Sequence, residues 1–156
     1  MITTNKTFSR LAAVQILFQL DFNEKMNIEI IENITNDEIY EKYQNFKDTN
    51  IKQYKNLVLD KNWFSTLVTK VFFNKKEIDN KLSKNFEKDW SLERMDSTLL
   101  NILRCAYIEL SQFSNIPVNV VISEYTTVAA SFFNDSEVNF VNGFLDKFSG
   151  TYRKGN

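Results

Sequence analysis

Side chains able to do chemistry are scarce in this sequence, and the missing ones narrow its function most. Histidine is absent altogether. That removes the commonest general base at neutral pH, the commonest metal ligand and every Ser-His or Cys-His nucleophile pair. The single cysteine, Cys105, cannot close an internal disulfide or build a thiolate zinc site. It lies in an apolar helical run and reads as a small buried hydrophobe. No glycine-rich loop suited to a cofactor is present, so neither an enzyme nor a metal or cofactor protein is expected. What remains is charge. Residues 1–20 carry Lys6 and Arg10 with no acid, and the last ten residues carry Lys147, Arg153 and Lys154, again with no acid. Between Asp21 and Asp48 eight acidic residues face three basic ones. If folding brought the two ends together they would form a modest basic patch on an acidic body, a surface that attracts phosphates. Charged termini that are merely solvated fit the same pattern, and charge alone favours that plainer reading.

The elements that would position these charges are helical. Three glycines and one proline in 156 residues leave few turn-formers, and 14 phenylalanines point to an aromatic-rich core. One domain spanning 1–156 is expected, long enough to bury about two thirds of its unfolded surface. No apolar run approaches the ~18 residues of a membrane span and no signal-peptide core stands at the N-terminus, so a cytoplasmic protein is expected.

In order of sequence, Met1 to Thr7 reads as an unstructured arm. A first helix is expected from Ser9, as its N-cap, to Asp21, with Leu11, Val14, Leu17 and Phe18 on its apolar side. Residues 27–47 read as two short helices or one broken helix (Ile28, Ile30, Ile31 and Ile34, then Ile39, Tyr40, Tyr43 and Phe46), and 48–59 as a polar connection. Asp60 is a candidate N-cap for a helix of roughly 20 residues whose stripe is Phe64, Leu67, Val68, Val71, Ile78 and Leu82, widened by Trp63, Phe72 and Phe73. After a short element at Ser91–Met95, Asp96 is the expected N-cap of a helix burying Leu99, Leu100, Leu103, Ala106, Tyr107 and Leu110. Arg104, in that apolar setting, is expected to brace a helix end or a buried carboxylate, and Ser111–Ile116 forms a loop.

Pro117 opens the next helix, to Phe132, in a first turn where its missing N–H loses nothing. A last helix carries Val138, Val141, Leu145, Phe148 and Tyr152 at helical spacing. Asn142-Gly143 lies within it. Out of context that pair signals a hairpin turn, but its flanks keep a helical period. A glycine inside a helix costs about 1 kcal/mol relative to alanine. Close approach of a packed helix or a bound ligand is the expected return.

Five blocks now stand in order: Arg10-Leu-Ala-Ala-Val-Gln-Ile-Leu-Phe18, Trp63-Phe-Ser-Thr-Leu-Val-Thr-Lys-Val71, Leu99 through Leu110, Ile116-Pro-Val-Asn-Val-Val-Ile-Ser-Glu-Tyr125 and Phe140-Val-Asn-Gly-Phe-Leu-Asp-Lys147. Together they resemble the NusB family from about residue 8 to 148. The resemblance implies an all-α fold of about seven helices in two roughly orthogonal bundles. It also implies a non-enzymatic antitermination factor that binds boxA-type single-stranded RNA in nascent rRNA transcripts. In that family the RNA is bound jointly with NusE, a small-subunit ribosomal protein, within an RNA polymerase antitermination complex. Carried over by position, the RNA surface comprises Lys6, Arg10, Gln15 and Phe18 near the start and Asn139, Phe140, Asn142 and Lys147 near the end.

Lys and Arg attract phosphates, rings stack on splayed bases and amides read base edges, which suits a single strand. Phe140 can equally be core, and the spacing of Phe18 favours the core. The family's partner face maps to Glu93 and Asp96, which serve as well to start helices. Two departures bear on function: the arm before the first helix holds only Lys6 and Arg10, and Asn139 stands where relatives often carry Lys or Arg. Weak RNA binding by the protein alone, relieved by NusE, is therefore expected. The alternative is a protein-binding adaptor or homodimer that has lost most of its RNA affinity. Whether the protein is a monomer or a homodimer stays open.

Overall fold

The computed structural model describes residues 4–22, 27–34, 38, 41, 57–87 and 90–153. Within them lie seven α-helices, one 3-10 turn and no strand. The helices are α1 (Asn5–Phe22), α2 (Asn27–Glu32), α3 (Lys61–Phe73), α4 (Lys75–Ser83), α5 (Ser97–Gln112), α6 (Val118–Ala130) and α7 (Asp135–Tyr152), with the 3-10 turn at Leu92–Arg94. The all-α expectation therefore holds. Expectations for Met1–Thr3, Ile39, Tyr40, Tyr43, Phe46, most of the 48–59 connection and Lys154 lie outside the described residues. The protein resolves into two compact units, Met1–Lys70 and Val71–Asn156.

In the first unit, α1 begins four residues before the expected N-cap. Thr4 and Thr7 cap its start reciprocally: the Thr7 N–H donates to Thr4 Oγ1 (3.2 Å) and the Thr4 N–H to Thr7 Oγ1 (3.0 Å). Residues 5–7 are therefore helical, not part of a loose arm. Ser9 is a buried mid-helix residue. Its hydroxyl donates to the Asn5 carbonyl (2.7 Å) and accepts the Asp60 N–H (2.7 Å). Asn5 Oδ1 takes the Val58 N–H at 3.0 Å, so two α1 side chains fasten residues 58–60, the lead-in to α3. Asp60 caps α3 as expected, its carboxylate accepting the Trp63 N–H at 3.0 Å. Phe8, Leu11, Val14, Phe64, Leu67 and Val68 are fully buried.

In the second unit, the single helix expected after Asp60 is broken. Asn74 adopts φ −117°, ψ 17° and ends the ladder, and its carbonyl accepts the Ile78 N–H (2.9 Å) to start α4. Asn is a weak helix former whose side chain competes with the backbone, so a break there is inexpensive. Asp96 caps α5 by accepting the N–H groups of Thr98 (2.8 Å) and Leu99 (3.2 Å). Arg104 braces a carboxylate: Nε and one terminal nitrogen grip Asp79 of α4 at 2.7 and 2.8 Å, and the other donates to Asn101 Oδ1 at 3.0 Å. Pro117, at φ −59°, stands at the N-cap of α6, which ends at Ala130 rather than Phe132. Val141, Leu145 and Phe148 of α7 are fully buried, so its helical stripe overrides the hairpin signal of Asn142-Gly143.

Candidate nucleic-acid interface

The residues at issue fall into two groups, one in each unit. In the first unit, α1 and α3 present two cations on one indole. Lys6 Nζ stands 4.6 Å from the centre of the Trp63 ring system and the Arg10 guanidinium carbon 5.2 Å from it. Lys6 and Arg10 are four apart on α1 and so share a face, which is why both reach the same ring. Their exposures differ sharply: Lys6 is exposed, Arg10 only 3%. Arg10 thus sits inside the fold with its charge spread over an aromatic face, an arrangement that orients the helix. Lys6 is the cation of this pair that solvent and phosphate can reach. Gln15 and Phe18 are half-buried, with the Phe18 ring centre 4.9 Å from that of Phe22. Phe22 is largely exposed.

The second group lies on α7 and the segment before the 3-10 turn. Asn139, Asn142, Gly143 and Lys147 are exposed on one side of α7, while Phe140 and Phe144 are half-buried beside them. Rings at i, i+4 and i+8 form a ladder, with Phe140–Phe144 centroids 5.8 Å apart at 27° and Phe144–Phe148 5.4 Å apart at 17°. Trp90 continues it, stacked on Phe140 at 4.9 Å and 14°. Phe86 meets Phe144 at 5.3 Å. Phe86, Trp90, Phe140 and Phe144, with Asn85, Glu87, Asn139, Gly143 and Lys147, line an open groove of about 240 Å³. The volume falls below the roughly 300–1,000 Å³ of small-molecule sites. Phe140 is neither a bare platform nor a fully buried core residue, but a middle layer of the ladder.

Of the two returns expected of Gly143, a packed helix and a bound ligand, the packed helix is not found among the described residues: a Cβ built there meets nothing within 4 Å. It forms instead part of the groove wall.

Arg153, counted with the basic end, is engaged within the fold. Its guanidinium donates to the carbonyls of Leu110 (2.9 Å), Glu109 (2.7 Å) and Phe113 (2.7 Å), and to that of Ile116. Two of these belong to the last turn of α5, where helix carbonyls run short of onward N–H partners, although Glu109 O also accepts the Phe113 N–H at 3.1 Å. The Arg153 guanidinium therefore caps the end of α5, is 9% exposed, and adds little to a phosphate-facing surface. Glu109 is fully buried and accepts the Tyr125 hydroxyl. Glu93 and Asp96 are both exposed, Glu93 in the 3-10 turn and Asp96 already accepting two backbone N–H groups.

Trp90, which stands just before the short element at Ser91–Met95, has no role in the sequence pattern. The available signal was a large aromatic in a polar stretch, a side chain whose wide apolar faces and N–H handle suit a contact surface. Among the described residues no cluster of three or more His, Cys, Asp or Glu could hold a metal ion. Nor, among them, is any helix long and apolar enough to cross a membrane.

Residues 7–150 match the model of the NusB family. Transcription antitermination protein NusB of Bartonella tribocorum is 37% identical over 145 residues, covering 93% of this chain and 88% of that protein. The protein of the same name from Sinorhizobium medicae is 33% identical over 145 residues, covering 93% and 86%. A solved structure of T. maritima NusB superposes with a TM-score of 0.71 at 28% identity, over 97% of this chain and 94% of the other.

Proposed function

The chain belongs to the NusB family of transcription antitermination proteins, and from that premise we propose that it binds boxA-type single-stranded RNA of nascent rRNA transcripts together with NusE. The observation that carries the RNA reading is the α7 surface, where exposed Asn139, Asn142 and Lys147 border an aromatic ladder. A single strand offers what such a surface takes: bases to stack, edges for amides to read and phosphates for a cation. Lys6 on Trp63 is a second cationic contact for phosphate.

Reachable positive charge is thin. Arg10 is buried on Trp63 and Arg153 is engaged by four carbonyls, which leaves Lys6 and Lys147 as the exposed cations among the candidate residues. Each phosphate contact on a single strand contributes about −0.7 to the log–log salt slope. Two contacts give a slope of about −1.4, so binding by the lone protein is weak and only mildly salt-dependent, falling about sevenfold for a fourfold rise in salt. NusE supplies the missing charge, and Glu93 and Asp96 offer carboxylates to that basic partner, aiding encounter more than final affinity.

The test is a salt titration of boxA-type RNA binding by fluorescence anisotropy, with and without NusE. Weak, shallow binding alone and tight, steeper binding with NusE is the expected result, and Lys6→Glu should weaken both. Tight, steeply salt-dependent binding by the lone protein would contradict the charge argument. No RNA binding in either condition, with NusE still bound, would leave a protein-binding adaptor as the function.

A further inference from the structure

We infer that Trp90, rather than Phe140, is the platform on which an RNA base stacks. This rests on the RNA reading above. Phe140 already has two near-parallel ring neighbours, Trp90 at 4.9 Å and Phe144 at 5.8 Å, and is only half-exposed. Trp90 is 48% exposed although one face of its indole lies against Phe140 at 14°. Its exposure therefore comes from the opposite face and the edges, which is the geometry a splayed base needs.

The layers beneath make this a stiff support. Trp90 rests on Phe140, Phe140 on Phe144 and Phe144 on fully buried Phe148, so the outermost ring is carried by a column reaching into the core. The Trp90 N–H is itself held by the Glu87 carbonyl at 2.9 Å. A base added to Trp90 becomes the next ring of the column.

The groove bordering the ladder is compatible with a base. Among the described residues the charges lining the groove are one cation, Lys147, and one anion, Glu87, which repel neither a neutral base nor its amino group. Asn85 and Asn139 add amides that can both donate to and accept from a base edge. The groove runs beside the rings of the ladder and is open, with about 240 Å³ of space. Gly143, whose missing side chain would meet nothing within 4 Å, keeps the α7 wall open beside it.

The test uses the full-length protein with NusE and a boxA-type single-stranded RNA oligonucleotide, read by tryptophan emission and by anisotropy. Trp90→Phe keeps a ring on Phe140 and removes one of the two tryptophans. The part of RNA-induced quenching lost in Trp90→Phe reports stacking on Trp90. Quenching should fall markedly in that variant, and an abasic site at one position of the oligonucleotide should abolish it in the parent while weakening binding about tenfold. RNA that binds with equal quenching of parent and variant, or whose quenching no single abasic site removes, overturns the assignment to Trp90 and leaves RNA binding standing. RNA that fails to bind either protein overturns the RNA reading and this inference with it.

Discussion

Replacing Arg153 by methionine separates a charge that folds the protein from a charge that recognises RNA. Methionine keeps an unbranched stem but withdraws the guanidinium's four donations to carbonyls around the end of α5, while Glu109 O and Phe113 O each keep one backbone N–H. The bonds to Glu109 O (2.7 Å) and Leu110 O (2.9 Å) are buried, whereas those to Phe113 and Ile116 are partly open to water. Water can replace the second pair, so only the first pair is counted. At about 1.5 kcal/mol for each hydrogen bond to a charged group, the loss is about 3 kcal/mol. In a protein of 156 residues each kcal/mol lowers the melting midpoint by about 2–4 °C. Arg153→Met should therefore melt about 6–12 °C lower by circular dichroism. Below that midpoint its salt slope for RNA binding, measured with NusE, should equal the parent's. Lys147→Met should do the reverse, keeping the midpoint within about 2 °C while the slope shrinks by about 0.7. A midpoint unchanged in Arg153→Met, or a slope that falls by about 0.7 in it, would refute the capping role.

Two further outcomes follow from single side chains. Asp79→Ala takes the gripping carboxylate from the Arg104 guanidinium, 5% exposed, and leaves its bond to Asn101 in place. Breaking a buried pair costs about 3–5 kcal/mol, and the 21% exposure of Asp79 lowers the expectation to about 2–3 kcal/mol. Urea unfolding measures it, and Asp79→Ala combined with Arg104→Met should recover part of the loss, since no charge is then stranded. Gly143→Ala adds a Cβ into open space within a helix, so it should raise stability by about 0.5–1 kcal/mol. If the glycine keeps the groove open to a base, the same variant should also bind RNA more weakly; unchanged affinity would show that the groove wall has room to spare.

Helices and their caps were legible because the signals are local. Asp60 and Asp96 cap because a short acidic side chain precedes an apolar stripe at helical spacing, and both accept the expected backbone N–H groups. The period of Val141, Leu145 and Phe148 outweighed the Asn142-Gly143 turn signal because burying that stripe stabilises the helix more than one glycine weakens it. Ser9 misled for an equally physical reason. A mid-helix serine has the same local chemistry as a cap, and only the distant Asp60 N–H shows which role its hydroxyl serves.

The sequence by itself determined the helical class, most of the element boundaries and, through the five ordered blocks, the family. All of these depend on neighbours within a few turns or on linear order. Only tertiary structure decided which charges remain available to a ligand. Arg10 and Arg153 look like Lys6 and Lys147 in a charge count, yet one lies over Trp63 and the other beneath the last carbonyls of α5. Trp90 likewise became a candidate contact only once folding set it on Phe140, 50 residues further on. Availability is a property of surroundings contributed by distant segments, and no local pattern encodes it.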